Sequence, residues 1–105
     1  MSNDSKTSAP LSKSLAIPTV QIKNDRFIVT EWRFAPGAET GWHRHAYDYI
    51  VVPQTTGQLR IELADNSKVM SDLFTGQSYN RLAGVEHNVI NANDYEFVFV
   101  EIELK

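Results

Sequence analysis

From Thr19 onward the chain is broken by turn residues at such short intervals that no helix of ordinary length fits between them. The stretches between the turns are dense in β-branched and aromatic residues. Val20-Gln-Ile22 precedes the polar turn Lys23-Asn-Asp-Arg26, and Phe27 to Ala35 (FIVTEWRFA) is stopped by Pro36-Gly37. Tyr47 to Val52 ends at Pro53, with Gln54-Thr-Thr-Gly57 as the next turn. Leu59, Ile61 and Leu63 alternate with Arg60 and Glu62, the two-residue period of a half-buried strand. Asp65-Asn-Ser67 then turns the chain and Lys68 to Phe74 runs back to Thr75-Gly76. A strand pair follows around Gly84, and beyond Asn91-Ala-Asn-Asp94 lies the last run, Phe97 to Leu104 (FVFVEIEL). Many short strands at this spacing in 105 residues predict an all-β sandwich or barrel in a single domain. Residues 1–15, rich in Ser, Lys, Asn and Asp, show no period and predict a flexible tail ahead of a barrel over 16–105.

Several function classes are disfavoured at once. The formal charge is −3 with Lys and Arg scattered, so there is no global basic field for nucleic acid or anionic lipid. No apolar run approaches the ~20 residues that span a bilayer. With no cysteine there are no disulfides, no thiol nucleophile and no Cys-rich zinc site, which fits a reducing compartment. The start of the chain carries no apolar stretch resembling a secretion signal, and a cytoplasmic location is expected. No nucleophile-elbow pattern is present for a Ser-His-Asp hydrolase.

The chain has three histidines, His43, His45 and His87. His43 and His45, separated by Arg44, point to one face of an extended strand with Cα atoms about 6.6 Å apart. Two imidazoles so spaced tilt toward a common point and make half a site for Zn, Fe, Ni or Cu. Such a pair also arises by chance on exposed strands, and its surroundings decide between the two.

Those surroundings are Pro36-Gly37, His43, His45 and Gly57 in one stretch, and Gly76, Gly84, His87 and Asn91 in another. They resemble the two motifs of the cupin superfamily, PG-x5-HxH-x3-E with a trailing Gly and G-x5-PxG-x2-H-x3-N, over roughly the central half of the chain. The resemblance implies a jelly-roll-like double-stranded β-helix in which His43, His45 and His87 hold one divalent transition metal, Fe(II), Zn, Ni or Mn. The residues themselves agree with that ligand set: burying three imidazoles without a cation demands several hydrogen-bond partners together. Two positions depart from the motifs. Leu82 replaces a proline, and Tyr49 replaces the glutamate of the first motif.

Tyr49 matters for the chemistry. Strand parity puts Tyr47, Tyr49 and Val51 on the histidine face and turns Asp48, Ile50 and Val52 away, so Asp48 does not replace the missing carboxylate. A neutral phenol is a poor ligand. Tyr49 is therefore read as a catalytic candidate that hydrogen-bonds to what the metal holds, with barrel filling as the alternative. Glu39 is read as an exposed loop charge, Trp32, Phe34 and Trp42 as barrel wall or mouth, and Asn91 as a hydrogen-bonding residue. Arg33, Arg60 and Arg81 are candidates for a substrate carboxylate, and parity alone does not choose among them.

Three-histidine sites of this family resemble those of small mononuclear dioxygenases, which implies Fe(II) chemistry on a small organic acid, thiol or diketone. A Zn-dependent hydrolase or lyase, or a small-molecule-binding accessory protein without turnover, are the alternatives. The runs TEWRFAPG, TGWHRHAYDYIVVP, GVEHNVIN and FVFVEIELK also look like a subgroup of short bacterial cupins labelled as β-alanine degradation proteins. Ile50, Val52 and the apolar last strand offer more apolar surface than one small barrel lines, and a homodimer is expected.

Overall fold

The computed structural model describes residues 14–105. Nine strands appear in the order β1 (Ile17–Lys23), β2 (Phe27–Phe34), β3 (His43–Arg44), β4 (Asp48–Pro53), β5 (Gly57–Leu63), β6 (Lys68–Leu73), β7 (Tyr79–Arg81), β8 (Glu86–Asn91) and β9 (Phe97–Leu104). There is no helix among the described residues, and hence none long and apolar enough to cross a membrane. The all-β expectation holds, and the strands lie within a few residues of where the turn chemistry puts them. Up to residue 13 the expected flexible tail lies outside the described residues. At its end, the Glu39 N–H donates to the Ser14 carbonyl (3.0 Å) and the Ala16 N–H to the Glu39 carbonyl (2.8 Å).

Two sheets face each other. One has the order β1-β2-β9-β4-β7 and the other β3-β8-β5-β6, and all paired strands are antiparallel. Because side chains alternate and paired residues share a face, the register fixes what the five-stranded sheet shows to the interior. At one end Phe34 lies opposite Phe97, and Trp32, Phe99 and Pro53 form the next row. Then come Thr30, Glu101, Val51 and Tyr79, and after them Ile28, Glu103, Tyr49 and Arg81. The interior thus grades from an aromatic floor to a polar rim.

The floor is the core. Phe34, Phe97, Leu59 and Pro53 are fully buried, and the Phe34 and Phe99 rings are tilted with centroids 5.4 Å apart. Asn91 is buried with them, and its side-chain amide donates to the carbonyls of Phe34 (3.2 Å), Ala35 (3.2 Å) and Tyr95 (2.8 Å). It orders backbone and touches no histidine. Above the floor the sheets stay apart and enclose a cavity of about 620 Å³.

Candidate metal centre

The register brings the histidines together. His43 on β3 is the direct partner of His87 on β8. His45, two residues on, is pinned to the loop before β8: its N–H donates to the Val85 carbonyl (2.9 Å), and its carbonyl accepts from the Gly84 N–H (2.8 Å). That loop needs Gly84, whose φ of +96° is a conformation L side chains rarely adopt. His43 Nε2 lies 3.0 Å from His45 Nε2, which lies 3.1 Å from His87 Nε2. The three rings meet edge-on, at interplanar angles of 69° to 88°.

This geometry fits a cation better than protons. One nitrogen offers one hydrogen-bonding site, either a proton or a lone pair, so His45 Nε2 is not satisfied by hydrogen bonds to both neighbours. With metal–nitrogen bonds of about 2.1 Å, ligands at right angles have nitrogens about 3.0 Å apart, and tetrahedral ligands about 3.4 Å. The two observed separations are of the size that neighbouring nitrogen ligands of one cation would have, so His43, His45 and His87 would hold such an ion. His43 is preset for the task. Its Nδ1–H donates to the Gly41 carbonyl (2.9 Å), a group that only accepts, which leaves a lone pair on Nε2 to bind. Burial, and then the charge of His43, lowers His45 and His87 to about 4, so both imidazoles are neutral at neutral pH and free to offer a lone pair.

A polar network holds the His43 loop. Asn88 is only 6% exposed. Its amide donates to Glu39 Oε1 (2.7 Å) and Glu62 Oε1 (3.2 Å), and its carbonyl oxygen accepts from the Gly41 N–H (2.9 Å). Glu39 is therefore buried and bonded, not an exposed loop charge: residues 37–40 run beside β8, as the Thr40 N–H donating to the Val89 carbonyl shows (2.9 Å).

Tyr49 is buried and stacks on His45, with ring centroids 3.9 Å apart and planes inclined by 18°. Its hydroxyl has no hydrogen-bond partner among the described residues. Burial first, then the charge of Glu101, raises its pKa, so it stays a neutral phenol. Tyr47 sits in the bend before β4 and does not reach the cavity, because the strand begins only at Asp48. Asp48 faces away and accepts from the Ala83 N–H (2.8 Å). Trp32 lines the cavity and Phe34 is buried in the core beneath it, whereas Trp42, on the opposite face from His43, is 53% exposed.

Two interior carboxylates escaped the sequence reading. Glu101 is 7% exposed; it accepts from the Trp32 indole N–H (3.4 Å), and its Oε2 is 3.9 Å from His45 Nδ1. Because His45 is neutral, that approach is not an ion pair. Burial, and then the neighbouring Glu103, raises Glu101 to about 7. His45, Glu101 and Glu103 all bring ligand atoms within 4.8 Å of one another. The signal was the alternation in FVFVEIEL: once Phe97 and Phe99 point inward, Glu101 and Glu103 must follow.

The register also separates the three arginines. Arg33 is on the outer face, paired with Glu96 (2.8 Å) and Glu31 (3.3 Å), and Arg60 faces outward beside Glu62 (3.9 Å). Arg81 lines the cavity, its guanidinium 4.6 Å from the centre of the Tyr79 ring. Its charge contributes to the lowered pKa of His87.

No protein-family model matches the chain. The β-alanine degradation protein BauB of Pseudomonas aeruginosa PAO1 is 60% identical over 90 residues, covering 86% of this chain and 94% of that protein. The crystal structure of a cupin domain from Bordetella pertussis Tohama I superposes with a TM-score of 0.88 at 61% identity, over 91% of this chain and 99% of that one. A cupin superfamily protein from Desulfitobacterium hafniense DCB-2 shares the fold at 18% identity, with a TM-score of 0.67 over 91% of this chain and 83% of that one. With the paired sheets and the two histidine stretches, these likenesses make the chain a member of the cupin superfamily.

Proposed function

We propose that the chain is a mononuclear metal-dependent cupin that holds one divalent transition metal on His43, His45 and His87 and acts on a small organic molecule admitted to the cavity. The observation that carries this reading is the pair of Nε2 separations, 3.0 and 3.1 Å, on three rings that meet edge-on. A bound ion supplies Lewis acidity and open positions for a chelating anion, and in the Fe(II) form oxygenase chemistry on a small organic acid, thiol or diketone. The protein supplies the rest. Tyr49 and the aromatic floor exclude water behind the histidines, and Glu101 offers a carboxyl group on the cavity side of His45 that takes or gives a proton near neutral pH. The name of the BauB relative supports amino-acid catabolism, β-alanine included, as the setting.

The test is anaerobic reconstitution with Fe(II), followed by oxygen-uptake assays on small thiols, diketones, organic acids and β-alanine. Uptake with one class identifies the substrate. No uptake with any of them removes the oxygenase reading. Binding by calorimetry with no product by mass spectrometry then marks an accessory ligand-binding protein, and product formed only with Zn marks a hydrolase or lyase.

We also propose that two copies pair through the outer face of the five-stranded sheet. There Val29, Ile102 and Ile50 lie side by side, with Val100 and Val52 next to them, all only partly buried. Light scattering at micromolar concentration is expected to return twice the chain mass, and a monomer mass overturns the pairing.

A further inference from the structure

The cavity holds opposite charges that do not meet. In the rim row, Arg81 on β7 and Glu103 on β9 flank Tyr49 on β4. All three line the cavity, so all three side chains turn inward. Arg81 and Glu103 are two strand spacings apart, about 10 Å between Cα atoms, with the Tyr49 ring between them.

Among the described residues, each end lacks a counter-ion. Arg81 Nη1 donates to the Asn80 carbonyl (3.0 Å) and the guanidinium rests on Tyr79, but it has no carboxylate within ion-pair distance among the described residues. Glu103 likewise has no hydrogen-bond or ion-pair partner among them, and the acidic side chain it faces, Glu101, repels it. Lys23 also opens onto the cavity, but from β1, whose seven residues are all exposed, and it sits two strands beyond Glu103 on the side away from Tyr49. Arg81 is exposed on an edge strand as well, and what separates the two is that Arg81 is the direct neighbour of Tyr49.

Tyr49 stacks on His45, so a molecule bridging Arg81 and Glu103 across Tyr49 lies against the histidine cluster. We propose that Arg81 and Glu103 are the two ends of a seat for a small zwitterionic amino acid, Arg81 taking the carboxylate and Glu103, with Glu101 beside it, the ammonium group. The guanidinium fork suits a planar carboxylate in two-point contact. The Tyr79 face steers the fork, and the separation by Tyr49 keeps the protein's own charges from neutralising each other. Arg81 stands exposed at the cavity rim and Glu103 is half-buried, so a ligand charged at one end only forgoes one of the two contacts. This seat rests on the metal-site reading above and adds the class of molecule and the side chains that choose it.

Calorimetry on the metal-loaded protein tests the seat with three probes of one chain length: 3-aminopropanoate, propanoate and 1-aminopropane. The amino acid is expected to bind on the order of ten- to a hundred-fold more tightly than either of the others. Arg81→Gln should bring its affinity down to that of the amine, Glu103→Gln should bring it down to that of propanoate, and Arg33→Gln, which removes an equal charge from the outer face, should change neither. Equal binding of all three probes, or an Arg81→Gln protein that still prefers the amino acid, overturns the seat. Metal content measured on the same samples separates the two readings. Full metal with no preference sinks the seat alone, and failure of the wild-type chain to hold metal sinks the site beneath it.

Discussion

The phenol ring of Tyr49 covers one face of the His45 imidazole and so fixes the tilt at which that ring presents Nε2 to its two neighbours. The stack, rather than a hydrogen bond, is what Tyr49 visibly contributes where the first motif of the family has a glutamate. Tyr49→Phe is therefore expected to keep metal affinity within about two-fold, because the ring remains. Tyr49→Ala should lower it about 10- to 100-fold, as loss of an orienting neighbour does, and should cost about 3–5 kcal/mol of stability through the cavity left behind. Metal titration and urea unfolding check both. If Tyr49→Phe keeps its metal but loses turnover, the hydroxyl touches substrate.

Metal should stabilise the fold, since the three nitrogens converge only in the native state. At free metal a hundred times the dissociation constant, the gain is about 2.7 kcal/mol. Chelation should lower the melting temperature accordingly, and His87→Ala should abolish the metal-dependent shift. An unchanged melting curve on adding Zn(II) or Fe(II) contradicts the site.

The metal-free protein should lose stability in acid with a slope set by opposing groups. His45 and His87 stay neutral when folded down to about 4 but take up protons near 6.5 when unfolded, so their contribution is lost as pH falls through that interval. Glu101 acts the other way. It keeps its proton up to about 7 when folded, against 4.5 unfolded, so its contribution is lost as pH rises. Between pH 4.5 and 6.5 these groups leave the unfolded chain one net proton ahead, a slope of roughly 1.4 kcal/mol per pH unit. Glu101→Gln removes the opposing proton and should about double the slope in urea titrations.

Asn88 anchors the Gly41 turn that orients His43, although it points to the opposite face of β8 from His87. Asn88→Ala leaves buried Glu39 without that donor and should cost about 1–3 kcal/mol. It should also lower metal affinity more than it lowers the affinity of a His87 variant already deprived of one ligand. A stability loss with unchanged metal affinity would reduce Asn88 to a scaffold role.

Gly57 allows no side chain. A Cβ there would stand 2.6 Å from Asn93 Oδ1 and 2.7 Å from Tyr95 Oη. Both groups are committed: Asn93 Oδ1 accepts from the Gln58 N–H (3.0 Å), and the Tyr95 hydroxyl donates to the Thr56 carbonyl (2.8 Å). Gly57→Ala should cost about 1–3 kcal/mol, measurable by urea unfolding, while leaving metal binding unchanged.

Strand alternation and turn chemistry made the fold legible, and the spacing of glycine, proline and histidine pointed to the three histidines that the fold brings together. What sequence left open was everything that depends on register. Arg33, Arg60 and Arg81 all sit on strands, and only the pairing of β4 with β7 turns Arg81 toward the histidines. The last strand reads as apolar because six of its eight residues are apolar, but Val98, Val100, Ile102 and Leu104 line the outer face, and the glutamates share the inner one with Phe97 and Phe99. Glu39 looked like a loop charge because its partner, Asn88, is distant in sequence and meets it only when residues 37–40 align with β8.

The three imidazoles hang from the smaller sheet and the loop leading out of it, whereas Arg81, Tyr49 and Glu103 stand on the larger one. The candidate metal site and the wall it faces are thus carried by separate pieces of hydrogen-bonded scaffold. As long as the Tyr49 ring stays against His45, substitutions at Arg81 and Glu103 can remodel what the chamber welcomes while the three imidazoles keep their convergence, so a lineage with this architecture can drift from one guest to another.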